Sequence, residues 1–179
     1  ATYNRNEEIV TTDGNSKGID NKNRIIISDK LTYNKITNIV DAEGQVKVED
    51  VVNNNTVKSE KITFYREVDK IITEGFTEAN IENNYKIETE DAIYLLNTKE
   101  ISSKFKSTII DDDNKIYYLD EFKYYLDTSL LKGKNVLTIT NYNLPKSDKF
   151  FFLDGIFNLK DKTFLASDTK IHIHKSIFD

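Results

Sequence analysis

A short pattern returns in this chain about every 30 residues, and that recurrence constrains the fold more than any other feature. Thr2-Tyr3-Asn4-Arg5, Ile9-Val10 and Gly14 reappear, each displaced by 30, as Thr32-Tyr33-Asn34-Lys35, Ile39-Val40 and Gly44. The pattern continues at Thr63-Phe64 with Ile71-Ile72 and Gly75, and at Tyr94 with Ile101. It returns again at Tyr124 with Leu130-Leu131 and Gly133, and at Phe157 with Phe164-Leu165. The aromatic anchors are thus spaced by 30, 31, 30, 30 and 33 residues. Self-similarity of this period marks a repeat architecture, in which one unit cannot bury its own apolar face and neighbours must stack.

Within each unit an apolar run is followed by one or two acids and then by the anchoring aromatic. Asp29, Glu60, Glu90 and Asp120 stand four residues before Tyr33, Phe64, Tyr94 and Tyr124, while Asp154 stands three before Phe157. The runs alternate with period two and are rich in β-branched and aromatic residues, as in Ile25, Ile27, Leu31, Tyr33 and in Ile116, Tyr118, Phe122, Tyr124. Turn chemistry separates them at Asp13-Gly14-Asn15, Asn53-Asn54-Asn55, Asn83-Asn84, Asp111-Asp112-Asp113-Asn114 and Asp161-Lys162. In some copies the alternation changes parity near the acids, which predicts a bulge or corner there. A helix reading fails because no window keeps an apolar stripe at three-to-four spacing. Six units of two extended segments predict about twelve antiparallel strands in one meander, forming a single all-β domain over residues 1–179.

Composition removes several function classes. A net charge of −5, with Lys and Glu spread along the chain, argues against nucleic acid as a partner. The absence of cysteine excludes disulfides and thiolate chemistry, and no apolar run approaches the roughly 18 residues of a membrane helix. Pro145 is the only proline, leaving little room for disordered linkers. Ala1 opens in the middle of a motif, so the chain reads as a fragment of a longer protein.

No catalytic residue, metal ligand set or cofactor motif is expected. His172 and His174, the only histidines, share a strand face but lack a third ligand. Asp111-Asp112-Asp113-Asn114 lacks the glycine and distal glutamate of a calcium loop and reads as a polar turn. The recurring acids do not read as the carboxylate pair of a glycosidase, because such a pair occurs once whereas these return in every unit. The apolar positions are the distinctive remainder. Stacked over six repeats, they form either an ordinary core or a long trough suited to an elongated apolar ligand.

The unit as a whole resembles the OstA-like repeat of lipopolysaccharide-transport proteins, through Ser28-Asp29-Lys30-Leu31-Thr32-Tyr33 followed by Asp41-Ala42-Glu43-Gly44. Lys146–Phe152 and Phe164–Thr169 most resemble the periplasmic N-terminal domain that precedes the outer-membrane barrel in the assembly members of that family. A small periplasmic bridge protein is the second choice. The resemblance implies a β-jellyroll, or β-taco, that receives lipid A acyl chains at the periplasmic face of a Gram-negative outer membrane. It makes Ile25, Ile27, Leu31, Tyr33, Ile62, Phe64, Ile87, Tyr94, Tyr118, Phe122, Tyr124, Phe152 and Phe157 the candidates to line the lipid groove. The terminal strands around Thr2, Tyr3, Asn4 and around Ile171, Ile173 would then join another OstA-like domain edge to edge. The remaining implied partners are lipopolysaccharide itself, an outer-membrane barrel in the same chain and that barrel's lipoprotein plug. A closed β-solenoid serving as adhesin or spacer, and a carbohydrate-binding repeat, stay open beside this reading.

Overall fold

The polar turns at Asn53-Asn54-Asn55, Asp111-Asp112-Asp113-Asn114 and Asp161-Lys162 close antiparallel hairpins. Asp13-Gly14-Asn15, expected as a turn, lies instead inside a strand, where left-handed Gly14 forms a bulge and not a chain reversal. The computed structural model describes residues 1–20, 22–82, 84–144 and 146–174; Asn83 and Pro145 lie outside them. The first strands are β1 (Thr2–Asn4), β2 (Ile9–Ile19), β3 (Arg24–Asn34), β4 (Ile39–Asp50) and β5 (Asn55–Tyr65). The middle of the chain supplies β6 (Lys70–Glu74), β7 (Phe76–Ile81), β8 (Tyr85–Glu90), β9 (Ile93–Leu95), β10 (Glu100–Ser103), β11 (Ser107–Ile110), β12 (Ile116–Leu119) and β13 (Glu121–Tyr125). The last are β14 (Leu130–Ile139), β15 (Lys149–Asn158), β16 (Thr163–Ser167) and β17 (Lys170–His172). Seventeen strands among the described residues correspond to the twelve extended runs of the repeat, because five runs are cut in two by a bend.

That bend folds the ribbon lengthwise into two layers of β-taco type. One layer holds β1, β6, β9, β10, β13 and β16 with the flanking halves of the long strands; the other holds β7, β8, β11, β12 and β17 with the remaining halves. β2 to β5 run through the crease, and their pairing slips between Asp13 and Ser16, Ile27 and Lys30, and Glu43 and Val46. The parity change read near the acids between Ile87 and Tyr94 falls at the bend that parts β8 from β9, but β3 carries a slip although Ile25, Ile27, Leu31 and Tyr33 read as unbroken alternation. Left-handed backbone recurs along the same line, at Gly14, Gly44, Gly75, Asn135 and Asp168. Position 44 needs glycine for space as well as for φ. A Cβ at Gly44 would collide with Asp29, and one at Gly75 would press on Glu60. Asp29, Glu60 and Asp120 therefore lie on the outside of the crease, each against the bend of the next strand, while Asp91 sits against the bend of the run before it. Gly75 N–H donates to Asp91 Oδ1 at 2.8 Å, and Asn135 Nδ2 donates to Asp120 Oδ2 at 2.8 Å.

The opposite ends of the strands, at the mouth of the fold, use one turn in every copy. Glu8, Asn38, Asp69, Lys99, Ser129 and Lys162 are left-handed, each five residues after its anchoring aromatic. Where the residue after the aromatic is asparagine, its side chain caps the turn: Asn34 Oδ1 accepts from the N–H groups of Ile36 and Thr37 at 2.9 and 3.0 Å. Where it is tyrosine, no such cap exists, and a single 3-10 turn replaces it at Arg66–Val68 and at Leu126–Thr128.

Strand register turns the repeat into rows. In the first layer Tyr3, Val10, Tyr33, Val40, Phe64, Ile71, Tyr94, Ile101, Tyr124, Leu131, Phe157 and Phe164 lie side by side, aromatic alternating with aliphatic as far as Phe157, whose last neighbour is aromatic too. The facing row of the second layer reads Gly18, Ile26, Val48, Val57, Ala79, Ile87, Ile109, Tyr117, Thr138, Phe150, Ile171. Each neighbouring pair adds roughly 0.2–1 kcal/mol. Near the crease the layers converge, and along most of the ribbon small side chains fill the narrow space. There Ser16, Ser28, Ser59, Thr73, Thr77, Thr89, Ser103 and Ser107 are buried. Their hydroxyls satisfy one another and nearby carbonyls, as in Ser59 to Thr77 at 3.2 Å, Thr77 to Thr73 at 2.7 Å and Thr89 to Ser107 at 2.7 Å.

Candidate functional site

The apolar interior between the layers is the site to which the repeat leads, and its two ends differ. Towards the C-terminus it is filled. Ile87, Ile109, Tyr117, Leu119, Phe122, Tyr124, Leu131, Val136, Phe152 and Phe157 belong to one buried cluster spanning both layers. Aromatic contacts tie the layers together there, with Tyr85 on Tyr124 at 5.7 Å, Tyr117 on Phe157 at 5.5 Å and Phe152 on Phe157 at 5.5 Å between ring centres. Burial pushes the Tyr117 and Tyr124 phenols far above the ordinary tyrosine range. Tyr117 also donates to Asp111 Oδ2 at 3.1 Å, while Asp111 Oδ1 accepts from the N–H groups of Asp113 and Lys115. The acidic run is thus a capped hairpin turn.

Towards the N-terminus the same interior opens into a cavity of about 360 Å³. Its apolar wall comes from Ile26, Leu31, Tyr33, Val48, Phe64 and Ile71, with Ile25, Val40 and Ile62 also contributing. Among the described residues, the buried apolar cluster of this part holds Ala42, Val46 and Ile62 alone. At the mouth of the cavity stand Arg24, Asp20 and Arg66. Arg24 reaches across from the second layer to cover the Phe64 ring of the first, its guanidinium 5.0 Å from the ring centre. It is held by Asp20, with Nη2 and Nε both 2.6 Å from Oδ2. Burial raises the Asp20 carboxyl, but the N–H groups of Arg24 and Lys22 and the guanidinium outweigh it and hold the group below the usual carboxylate range.

Of the thirteen groove candidates, Ile25, Leu31, Tyr33, Ile62 and Phe64 line this cavity. Ile87, Phe122, Tyr124, Phe152 and Phe157 sit in the filled part, with Tyr94 packed against it. Ile27 and Tyr118 are not brought into the interior: they face outward, 39% and 42% exposed. The crease bulge explains both, since one extra residue reverses the facing and puts Ile26 and Tyr117 inside instead. Sequence reasoning also passed over Arg24 and Arg66, although a signal was present. The chain has three arginines against 22 lysines, and two of the three meet at this one cavity.

The terminal strands lie where the repeat predicts, at the two ends of the ribbon. Among the described residues β1 pairs with β2 alone, through Thr2 to Thr11, Tyr3 to Val10 and Asn4 to Ile9. Ile171 in β17 pairs with Phe150, and Ile173 follows that strand. In the second layer the N-terminal edge is the Ser16–Ile19 part of β2, because β1 reaches only as far as Thr11. A larger groove of about 960 Å³ lies on the outer face of the first layer, where Phe105 overhangs Ile72, Ile93, Ile156 and Leu165. Two of its rim lysines are neutralised, Lys123 by Glu100 at 2.9 Å and Lys134 by Glu121 at 2.6 Å. Among the described residues no group of three or more His, Asp or Glu is arranged to hold a metal ion.

No family model and no curated protein matches this chain.

Every backbone ladder stays within one layer or passes through the crease, and among the described residues no backbone hydrogen bond crosses the mouth. Side chains alone close it, Lys162 to Asp113 at 2.6 Å at the filled end and Arg24 on Phe64 at the open end. Spreading the layers therefore breaks no strand pairing.

Proposed function

We propose that this chain is a non-catalytic conduit domain for lipopolysaccharide, taking lipid A acyl chains between its layers and passing them towards the outer membrane. The observation that carries this reading is the apolar interior running the length of the ribbon, hinged at the crease and open as a cavity at the N-terminal end. Burying one CH₂ is worth about 0.8 kcal/mol, so an acyl chain of about twelve carbons left in water costs on the order of 10 kcal/mol. A carrier across an aqueous compartment must keep such chains on a continuous apolar path while sugars and phosphates stay outside. The uncovered edges of β1 and β17 suit extension of that path by strand addition to a neighbouring OstA-like domain. The same reading puts the domain at the periplasmic face of a Gram-negative outer membrane, next to a barrel and its lipoprotein plug.

One observation favours a second reading, a closed structural or adhesin-type solenoid: the C-terminal half of the interior is already filled with protein side chains. Photo-crosslinking residues placed at Tyr33 and Phe64, in protein expressed in a Gram-negative host, separate the two. The conduit reading expects lipid A adducts by mass spectrometry. A clean, lipid-free protein at both positions supports the dry solenoid.

A further inference from the structure

We propose that the mouth of the N-terminal cavity recognises the anionic head of an amphiphile, one apolar chain of which fills the cavity behind it. Arg66 is the fixed donor, and the Arg24–Asp20 pair is a displaceable cover. The inference rests on the lipid reading above and adds to it a head-group chemistry and a chain count.

Three observations support it. Arg66 is preorganised and only partly used. Its Nη1 donates to Tyr33 Oη at 3.1 Å and to Asn38 Oδ1 at 3.2 Å, and its guanidinium lies 5.6 Å from the centre of the Tyr33 ring. Among the described residues it has no carboxylate within ion-pair distance, and its Nε and Nη2 have no side-chain acceptor, so one edge of the fork stays open. Arginine presents planar paired donors that match a carboxylate or phosphate, which lysine does not. In a chain that uses lysine almost everywhere else, two arginines at one apolar cavity are a specific placement. The second observation is the cover. Arg24 has a side chain only 13% exposed and is neutralised by Asp20, so it shields Phe64 without drawing a second anion. The third is size. A cavity of about 360 Å³ stands near the low end of the roughly 300–1,000 Å³ that ligand pockets span, which suits one chain and not a bundle.

The test uses the whole chain and the fluorescent amphiphile 11-(dansylamino)undecanoic acid beside its uncharged methyl ester. The acid is expected to bind about tenfold more tightly than the ester, the worth of one charge-assisted hydrogen-bonding edge. Arg66→Gln should bring the acid down to the ester's affinity and leave the ester unchanged. Lys160→Gln, at an exposed turn of the filled half, should change neither, and Val48→Phe should abolish binding of both. Displacement by monododecyl phosphate or by dodecanoate then tells which anionic head is preferred. Equal affinity of acid and ester, or equal weakening of both by Arg66→Gln, overturns the head site and leaves the apolar cavity standing. Failure of both probes to bind overturns the cavity as a lipid site as well. Thermal melting of Arg66→Gln and Arg66→Lys checks folding, and the lysine variant should recover only part of the preference for the acid.

Discussion

The two halves of this molecule share one repeat and one aromatic row, yet one half is filled and the other is hollow. The first-layer row barely differs between them: Tyr33, Phe64 and their aliphatic neighbours on one side, Tyr124, Leu131 and Phe157 on the other. What differs is the layer opposite. Against Tyr33 and Phe64 stand Gly18, Ile26, Val48 and Val57, whereas Tyr124 and Phe157 meet Tyr85, Tyr117 and Phe152. Aliphatic side chains and a glycine leave volume that tyrosine and phenylalanine fill. The crease shows the same trade in reverse. Hydroxyls occupy it through most of the ribbon, but at the C-terminal end Leu119 and Phe157 are accommodated because Gly133 and Gly155 make room for them. Repetition sets the positions, and local volume decides whether they close.

Equivalent substitutions in the two halves put this contrast at risk. Phe157→Ala should cost about 3–5 kcal/mol by urea unfolding, the range for deleting a buried aromatic, while Phe64→Ala, at the same row position beside the cavity, should cost about half as much or less. Equal costs would mean that the N-terminal half is as tightly packed as the other. Enlarging a side chain should separate the halves by sign. Val136→Phe overpacks the filled core and should lose about 1–3 kcal/mol, whereas Val48→Phe points into free volume and should be neutral or slightly stabilising. Thermal melting distinguishes these outcomes.

A smaller effect concerns Thr138, which interrupts the second-layer row with a buried hydroxyl that has no partner among the described residues. Thr138→Val should stabilise the protein by about 1 kcal/mol, since it removes an unsatisfied polar atom at nearly constant volume. The smallest effect is pH-dependent and confined to the hollow half. Because the folded Asp20 carboxyl is held below its ordinary value, its contribution is complete above the unfolded value of about 4. That contribution disappears as pH falls through the folded value. Hydrogen exchange should therefore show the β2–β3 turn loosening on acidification before the strands of the filled half, and Asp20→Asn should remove that difference.

Read alone, the sequence carried most of the fold. A 30-residue period, alternating apolar residues and turn chemistry were sufficient for an all-β antiparallel repeat of about twelve runs, because these signals act between neighbours in the chain. It also located the acids at a bend and the terminal strands at the ends of the ribbon. It could not decide which face each apolar residue takes beyond a bulge, so Ile27 and Tyr118 were assigned to the groove while Ile26 and Tyr117 occupy the interior. Nor could it reveal that Arg24 and Arg66, 42 residues apart, meet at one cavity, or that only one end of the trough is open. Those facts depend on what stands opposite across the fold. The anchoring aromatics were legible from residues 30 apart, but the space between the layers is set by side chains from both sheets, and only the folded ribbon brings those together.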